Sequence, residues 1–369
     1  MPRTKKTKSK PTRITNKVME DFAEEKISRA HFSLDKSKIK SQYAWVLLVM
    51  KGDSYVPGAL VMAHSLRRVQ TAHDIVCMVN DDVSDRARQQ LNLVCNVVSV
   101  PYLKFRSKPM KTAKQQEKYS NWMNASYTKW NCLNLTQYKK VIFLDVDKIV
   151  IKNIDHLFSL QYPAGTFSNP WAYPFAKGKK ALHNPYMNKG RLPQHGSRIS
   201  KQQVIKGLSR SHVLVATTVL LRPDAQHYKD YIAFVKSKQP YKHVNCFSMV
   251  DEQSIAEFML QKYPNWYHIH RKHNFIPWKF NWLLNEQPTV MHFFNINPWN
   301  MERKNYPDLE YWWILAKKFL QEHYNHAELL TGVFNDEIKK KPTLECFWCK
   351  EKKLPFRHLV TECSELHKD

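Results

Sequence analysis

Hydrophobic residues fall along this chain in short blocks that alternate between two periods. Tyr43 to Met50, His73 to Val79 and Asn96 to Val100 are compact runs of strand length, rich in Val, Leu and Met. Near-continuous apolarity of this kind suits strands covered on both faces, as in a parallel sheet. Between the first two runs, Tyr55 to Val69 carries Leu60, Val61, Ala63 and Leu66 as a helical core face, with Pro57 tolerated in the first turn. Ala87 to Leu93 predicts a second helix, preceded by Ser84 as its cap. Strand–helix–strand alternation predicts right-handed β-α-β units and an α/β fold with a mostly parallel central sheet.

The alternation continues downstream. Tyr127 to Tyr138 predicts a helix with Trp130, Leu133 and Leu135 inward. Val213 to Leu221 predicts a strand, Tyr228 to Val235 a helix, and Met249 to Leu260 a helix opened by Asp251, Glu252 and Gln253. Thr289 to Phe294 predicts a strand carrying His292, and Leu309 to Tyr324 a closing helix. Two stretches break the pattern. Lys104 to Ser120 is polar and basic and reads as a mobile loop or lid. Tyr162 to Arg210, rich in Pro, Asn, His, Lys and aromatic residues, is too long for an idle connection and is expected to build the acceptor side of a site.

The chemistry concentrates where the apolar run Val141 to Leu144 meets Asp145 and Asp147. Open α/β sheets bind ligands at the carboxyl ends of their strands. In extended chain, residues i and i+2 point the same way, so both carboxylates aim at one point. They repel unless a cation lies between them, and hard oxygen ligands suit Mg²⁺ or Mn²⁺.

Composition narrows the partners. The chain has 369 residues and a formal charge of +26, which implies either an anionic partner (a nucleotide diphosphate, a nucleic acid or an acidic membrane) or a solubility or localisation effect; charge alone does not choose. Its 8 glycines exclude a Gly-rich phosphate loop. No apolar run reaches membrane-spanning length and no signal peptide is legible, so a cytoplasmic protein, not secreted and with its thiols reduced, is expected. Residues 1–40, with Arg3, Lys5, Lys6, Lys8 and Lys10, predict a disordered basic tail, either merely solvated or serving nuclear import or nucleic-acid binding. Residues 41–330 are expected to form the main α/β domain, and 335–369 a linker and a small module. In that module Cys346, Cys349, Cys363 and His367 have spacing suited to a structural Zn²⁺ site, with His358 as the alternative fourth ligand.

Five segments, in order, carry a family resemblance: Gly52-Asp-Ser-Tyr55-Val-Pro-Gly58, Lys129 through Asp145-Val146-Asp147, Asn153-Ile-Asp155, Glu252-Gln253, and His292-Phe-Phe-Asn-Ile-Asn-Pro-Trp299. Together they resemble the family 8 retaining glycosyltransferases, the group that includes glycogenin. The resemblance covers roughly residues 43–300. It implies a GT-A, Rossmann-like fold and transfer of a hexose from a UDP-sugar to a hydroxyl of a glycan or protein. It also implies Mn²⁺ held by Asp145, Asp147 and His292. Lys129, Asp145, Val146 and Tyr55 would contact the donor, with Tyr55 beside the uracil. The segment Asp251, Glu252 and Gln253 would lie near the reacting sugar. A homodimer is a further expectation.

The chain departs from the family at two places. Asn297 stands where a diphosphate-binding lysine is usual, and Ala216-Thr217-Thr218 replaces an Asn-containing turn. These departures motivate the rival reading: a catalytically weak transferase fold that binds nucleic acid or a protein partner through its tail and finger.

Overall fold

The structure is a computed structural model that describes residues 31–109, 113–167, 193–210, 214–241, 250–276, 288–294, 297–300 and 308–334. The basic tail before residue 31, the cysteine-containing module (Cys346, Cys349, Cys363, His358, His367) and its linker lie outside the described residues.

The first half of the chain builds three parallel strands in sequence: β1 (Tyr43–Val49), β2 (Asp74–Val79) and β3 (Asn96–Ser99). Helix α1 (Val56–Arg68) follows β1, with Pro57 in its first turn, and α2 (Asp85–Leu91) follows β2. Ser84 caps α2 by accepting from the Ala87 N–H. Helix α3 (Ala113–Met123) and the 3-10 segment Ser126–Asn134 lead to β4 (Lys140–Leu144), which pairs parallel to β1.

Beyond β4 the chain adds β5 (Lys148–Val150), β6 (Ala164–Thr166), β7 (Arg198–Ser200) and β8 (Val215–Leu221), then β9 (Asn265–His268) and β10 (Val290–His292). Helices α4 (Lys201–Arg210), α5 (Ala225–Ser237), α6 (Val250–Lys262), α7 (Asp308–Glu322) and α8 (Ala327–Leu330) complete the described elements.

Eight strands form one sheet in the order β3-β2-β1-β4-β8-β6-β9-β7. Only β8 and β7 run against the others, so the sheet is mostly parallel. A separate two-stranded ribbon pairs β5 with β10, antiparallel, with His292 opposite Lys148.

Alternate side chains of each strand enter different cores. Ala44, Val46, Val141 and Phe143 pack with the 3-10 segment, α5 and α6 on one face. Trp45, Leu47, Ile142 and Leu144 pack with α1, α2 and α7 on the other. This two-sided burial explains why the strands read as continuous apolar runs. Among the described residues, no helix is long and apolar enough to cross a membrane. Cys77, Cys95 and Cys132 are free and buried, behaving as small hydrophobes.

Three expectations need correction. Residues 31–40 are not part of a disordered tail: Leu34 is buried in the core, and the Asp74 carboxylate accepts from Lys40 N–H. The stretch read as a lid folds instead as α3 from Ala113, because Tyr119 and Trp122 share a half-buried helical face. The segment from Ser126 is 3-10 rather than α-helical, with Ser126 Oγ bonded to Met123 O and Asn131 Nδ2 to Thr128 O. Such side-chain bonds to nearby carbonyls compete with the α-helical ladder. Finally, β6, β7 and β9 are too short to announce themselves by periodicity.

Candidate active site

At the carboxyl end of β4 the strand breaks, and the break is clamped on both sides. Asp145 N–H donates to Thr217 O at 3.2 Å, and Asp147 O accepts from Phe293 N–H at 2.8 Å. The ribbon register then sets His292 beside the second acid, with Nε2 at 3.4 Å from Asp147 Oδ2. One ligand atom each from Asp145, Asp147 and His292 lies within 4.8 Å of the others.

This donor set fits a divalent cation on an observation independent of sequence. Asp147 Oδ1 and His292 Nδ1 are buried with no hydrogen-bond partner. Two carboxylates and one imidazole form the hard-to-borderline set that takes Mn²⁺ or Mg²⁺.

Lys129 sits behind the acids. Its Nζ lies 3.2 Å from Asp251 Oδ2 and 3.8 Å from Asp145 Oδ1. Burial alone would lower its pKa, but Asp145 and then Asp251 outweigh that and hold the ammonium firmly charged. Burial raises the pKa of Asp145 despite Lys129. Asp147 is lowered, because burial is outweighed by His292 and then Lys148. Glu252 accepts from Ala216 N–H at 2.9 Å, and burial followed by Asp251 pushes its pKa up to about 8.

These groups line one cavity of about 510 Å³. Tyr55, Trp122, Phe143 and Phe294 give it an aromatic wall, and Asp251, Glu252 and Lys129 a charged one. Tyr55 meets Trp122 and Trp299 edge-on, with centroids 5.1 and 5.6 Å away. Burial raises the Tyr55 pKa, opposed by a hydrogen bond with Asn297. Gly58 permits the close approach of α1 to the acid segment: a Cβ there would lie 2.6 Å from the Trp299 ring and 2.9 Å from Val146 O.

The structure thus brings Tyr55, Lys129, Asp145, Val146, Asp147, Asp251, Glu252 and His292 to one cavity. It does not bring Gln253 to the wall; that side chain is fully buried behind it on α6. Nor does Ala216 reach the wall, which its neighbour Thr217 lines instead.

Sequence reasoning missed Tyr119, Trp122 and Lys148, and named Thr217 only within the departure at Ala216-Thr217-Thr218. Lys148 is fully buried, with Nζ donating to Thr217 O and to Thr218 Oγ1 at 2.7 Å. Burial lowers its pKa to about 7 against the pull of Asp145 and Asp147. A lysine directly after the second aspartate was the available signal.

Comparison with known proteins bears on this geometry. Residues 46–191 match the family model described as Glycosyl transferase family 8. The uncharacterized protein R707 of Acanthamoeba polyphaga mimivirus is 30% identical over 191 residues, 52% of this chain and 58% of that protein. Glycogenin-1 of Caenorhabditis elegans is 37% identical over 116 residues, 31% of this chain and 26% of that protein. Glycogenin-1 of Homo sapiens is 32% identical over 127 residues, 34% and 35% of the two chains. The chain therefore spans only part of each of these relatives. The solved galactosyltransferase LgtC, in complex with donor and acceptor sugar analogs, aligns with 74% of this chain and 95% of its own at 13% identity and a TM-score of 0.44. That structural likeness is too remote to add weight. Through the family model and the glycogenin matches, residues 46–191 of this chain are similar to glycosyltransferase family 8.

Proposed function

We propose that this protein is a retaining glycosyltransferase that moves a hexose from a UDP-sugar to a hydroxyl of a protein or glycan acceptor. The observation that carries the reading is the convergence of Asp145, Asp147 and His292 with Lys129, Asp251 and Glu252 on one cavity. Its size suits a nucleotide-sugar, within the roughly 300–1,000 Å³ typical of ligand pockets.

Asp145, Asp147 and His292 would hold Mn²⁺ or Mg²⁺. Bound there, the ion would supply Lewis-acid stabilisation of the charge that develops on the departing diphosphate. Lys129, fixed by two carboxylates, presents a permanent positive charge to the same region. Tyr55 and Trp122 offer an aromatic platform for the uracil. Asp251 and Glu252 occupy the wall where positive charge at the sugar carbon would be steadied, and the Ala216 N–H orients Glu252. Tyr55 and Asn297 form a neutral hydrogen-bonded pair where family 8 proteins commonly have a lysine, so charge on the leaving group would be met by Lys129 and by an ion bound at Asp145, Asp147 and His292. In the module beyond residue 335, Cys346, Cys349 and Cys363 with His367 or His358 are proposed to hold structural Zn²⁺, measurable as zinc lost on Cys→Ser substitution.

The test is mass spectrometry of the purified protein incubated with UDP-glucose, UDP-galactose, UDP-xylose and UDP-glucuronate plus Mn²⁺. It reports donor hydrolysis, self-modification and transfer together. Turnover of at least one donor is expected, with loss of about 99% or more in Asp147→Asn, the scale of removing one electrostatic stabiliser. No turnover of any donor by the wild-type chain, or turnover that Asp147→Asn preserves, overturns the reading.

A further inference from the structure

Away from the acid cavity, three histidines from distant parts of the chain converge. His156 lies in the 3-10 turn Asp155–Ser159, His195 in the turn before β7, and His273 in the 3-10 turn Arg271–Asn274. One ligand nitrogen of each falls within 4.8 Å of the others. The ring centroids are 5.2, 5.2 and 5.8 Å apart. His156 and His195 are exposed, and His273 is fully buried.

The buried ring has the hydrogen bonding of a metal ligand. His273 Nδ1 lies 2.7 Å from Thr289 Oγ1, and that hydroxyl in turn donates to Lys272 O at 3.3 Å. With its proton committed there, Thr289 accepts from His273 Nδ1–H. That fixes the tautomer and leaves the Nε2 lone pair bare. Nε2 is buried and has no hydrogen-bond partner. Ligating histidines characteristically spend their second nitrogen on such an outer partner.

The other two rings are placed by local backbone. Asp155, just before His156, is anchored by Thr71 Oγ1 at 2.6 Å and Ala72 N–H at 2.8 Å. His195 occupies a turn closed by Ser197 N–H to Gln194 O at 3.0 Å, in which Gly196 takes φ +76. His195 Nδ1 receives a long 3.3 Å contact from His270 N–H, and exposure leaves the ring room to reorient.

Burial favours the neutral form of all three imidazoles. Burial is the first cause in each; His195 is lowered to about 4, and His156 and His273 are lowered as well. Lys272 and His270 crowd the cluster with positive charge, and Asp155 offsets part of it at His156. Neutral imidazoles are the form that binds metal. All-nitrogen sets prefer zinc-class ions over Mg²⁺ or Mn²⁺.

We propose that His156, His195 and His273 form a second metal site, which takes a divalent ion of the zinc class and leaves a fourth position open to solvent. The ion would join three segments: the turn after β5, the turn before β7, and the turn whose Lys272 carbonyl binds Thr289 at the root of β10. It therefore braces the strand that ends in His292 without sharing a ligand with the acid site.

The test is Co²⁺ titration of the metal-stripped full chain carrying Cys346→Ser and Cys349→Ser, with Mg²⁺ in excess to occupy the carboxylate site. One equivalent is expected to bind with the visible d–d absorption of a four-coordinate nitrogen–oxygen site and no thiolate charge-transfer band. His156→Ala and His195→Ala, both at exposed positions, should each abolish that equivalent while the thermal unfolding of the apo-protein stays unchanged. Thr289→Val should weaken binding by roughly 10–100-fold, the usual effect of losing an outer partner. Lys272→Met, which removes a like charge, should strengthen it. Asp147→Asn should leave the spectrum unaltered. Absence of the absorption, or its persistence in both exposed-histidine variants, would overturn the proposal.

Discussion

Replacing Lys129 with methionine tests the charge arrangement behind the acid cavity. Lys129 Nζ is 3.2 Å from the Asp251 carboxylate, and Asp251 is fully buried in the first turn of α6. At that separation the gross attraction is about 5 kcal/mol for an effective dielectric of about 20. The net effect of removing one partner of a buried pair is about 3–5 kcal/mol, because the remaining charge is stranded. Methionine keeps most of the side-chain volume, so the packing loss is small. Urea unfolding of the metal-free chain should therefore show Lys129→Met destabilised by about 3–5 kcal/mol. In the double variant Lys129→Met/Asp251→Asn the stranded charge is gone, and at least ~2 kcal/mol should return. Under the proposed function, transfer activity should stay lost in both, because both lack the fixed cation that would face the diphosphate. The reasoning is refuted if Lys129→Met costs under ~1 kcal/mol, or if the double variant is no more stable than the single.

Three further outcomes follow from the geometry. Gly58→Ala forces a Cβ against Trp299 and Val146 O, so it should cost about 1–3 kcal/mol and weaken UDP binding measured by calorimetry; unchanged affinity would count against the close approach. His64 is buried between α1 and Phe319 of α7, with Glu322 Oε2 3.6 Å from Nδ1, and burial followed by Arg68 lowers its pKa to about 4. Because the folded value lies below the ordinary 6.5, stability is full above pH 6.5 and falls by about 3 kcal/mol as pH drops to 4. His64→Leu should flatten that part of the stability–pH curve, and an unchanged slope would exclude His64 as a cause. Asp155→Ala removes the acceptor of the half-buried Thr71 hydroxyl and of the exposed Ala72 N–H, and should lower stability by about 1 kcal/mol in a thermal melt.

What could be read beforehand followed physical scale. The strands β1, β2 and β4 are long, buried on both faces and apolar throughout, so they were visible, as was the paired-acid end of β4. Lys129 and His292 were visible only through the ordered motifs, since nothing local marks them. The three-residue strands β6 and β7 carry no periodicity, and their pairing with distant segments decides their state. Helix α3 was hidden by its polar composition: only Tyr119 and Trp122 disclose a covered face. The burial of Lys148 opposes the ordinary preference of lysine for water and depends on Thr217 and Thr218, far along the chain. The three histidines sit in separate turns, so no spacing rule connects them.

The ribbon of β5 and β10 has a consequence for how the site can vary. His292 is fixed from upstream, by pairing with Lys148 and by donating its N–H to Phe275 O at 2.7 Å. A slip of one step in that pairing would turn the imidazole to the opposite face. Length changes between Phe294 and Asn297 impose no such slip. The downstream segment can therefore gain or lose a residue, and exchange a lysine for Asn297, without disturbing the imidazole. Under the proposed function, such a division would let mutation retune phosphate affinity through residue 297 while the imidazole that would hold the ion stays in place.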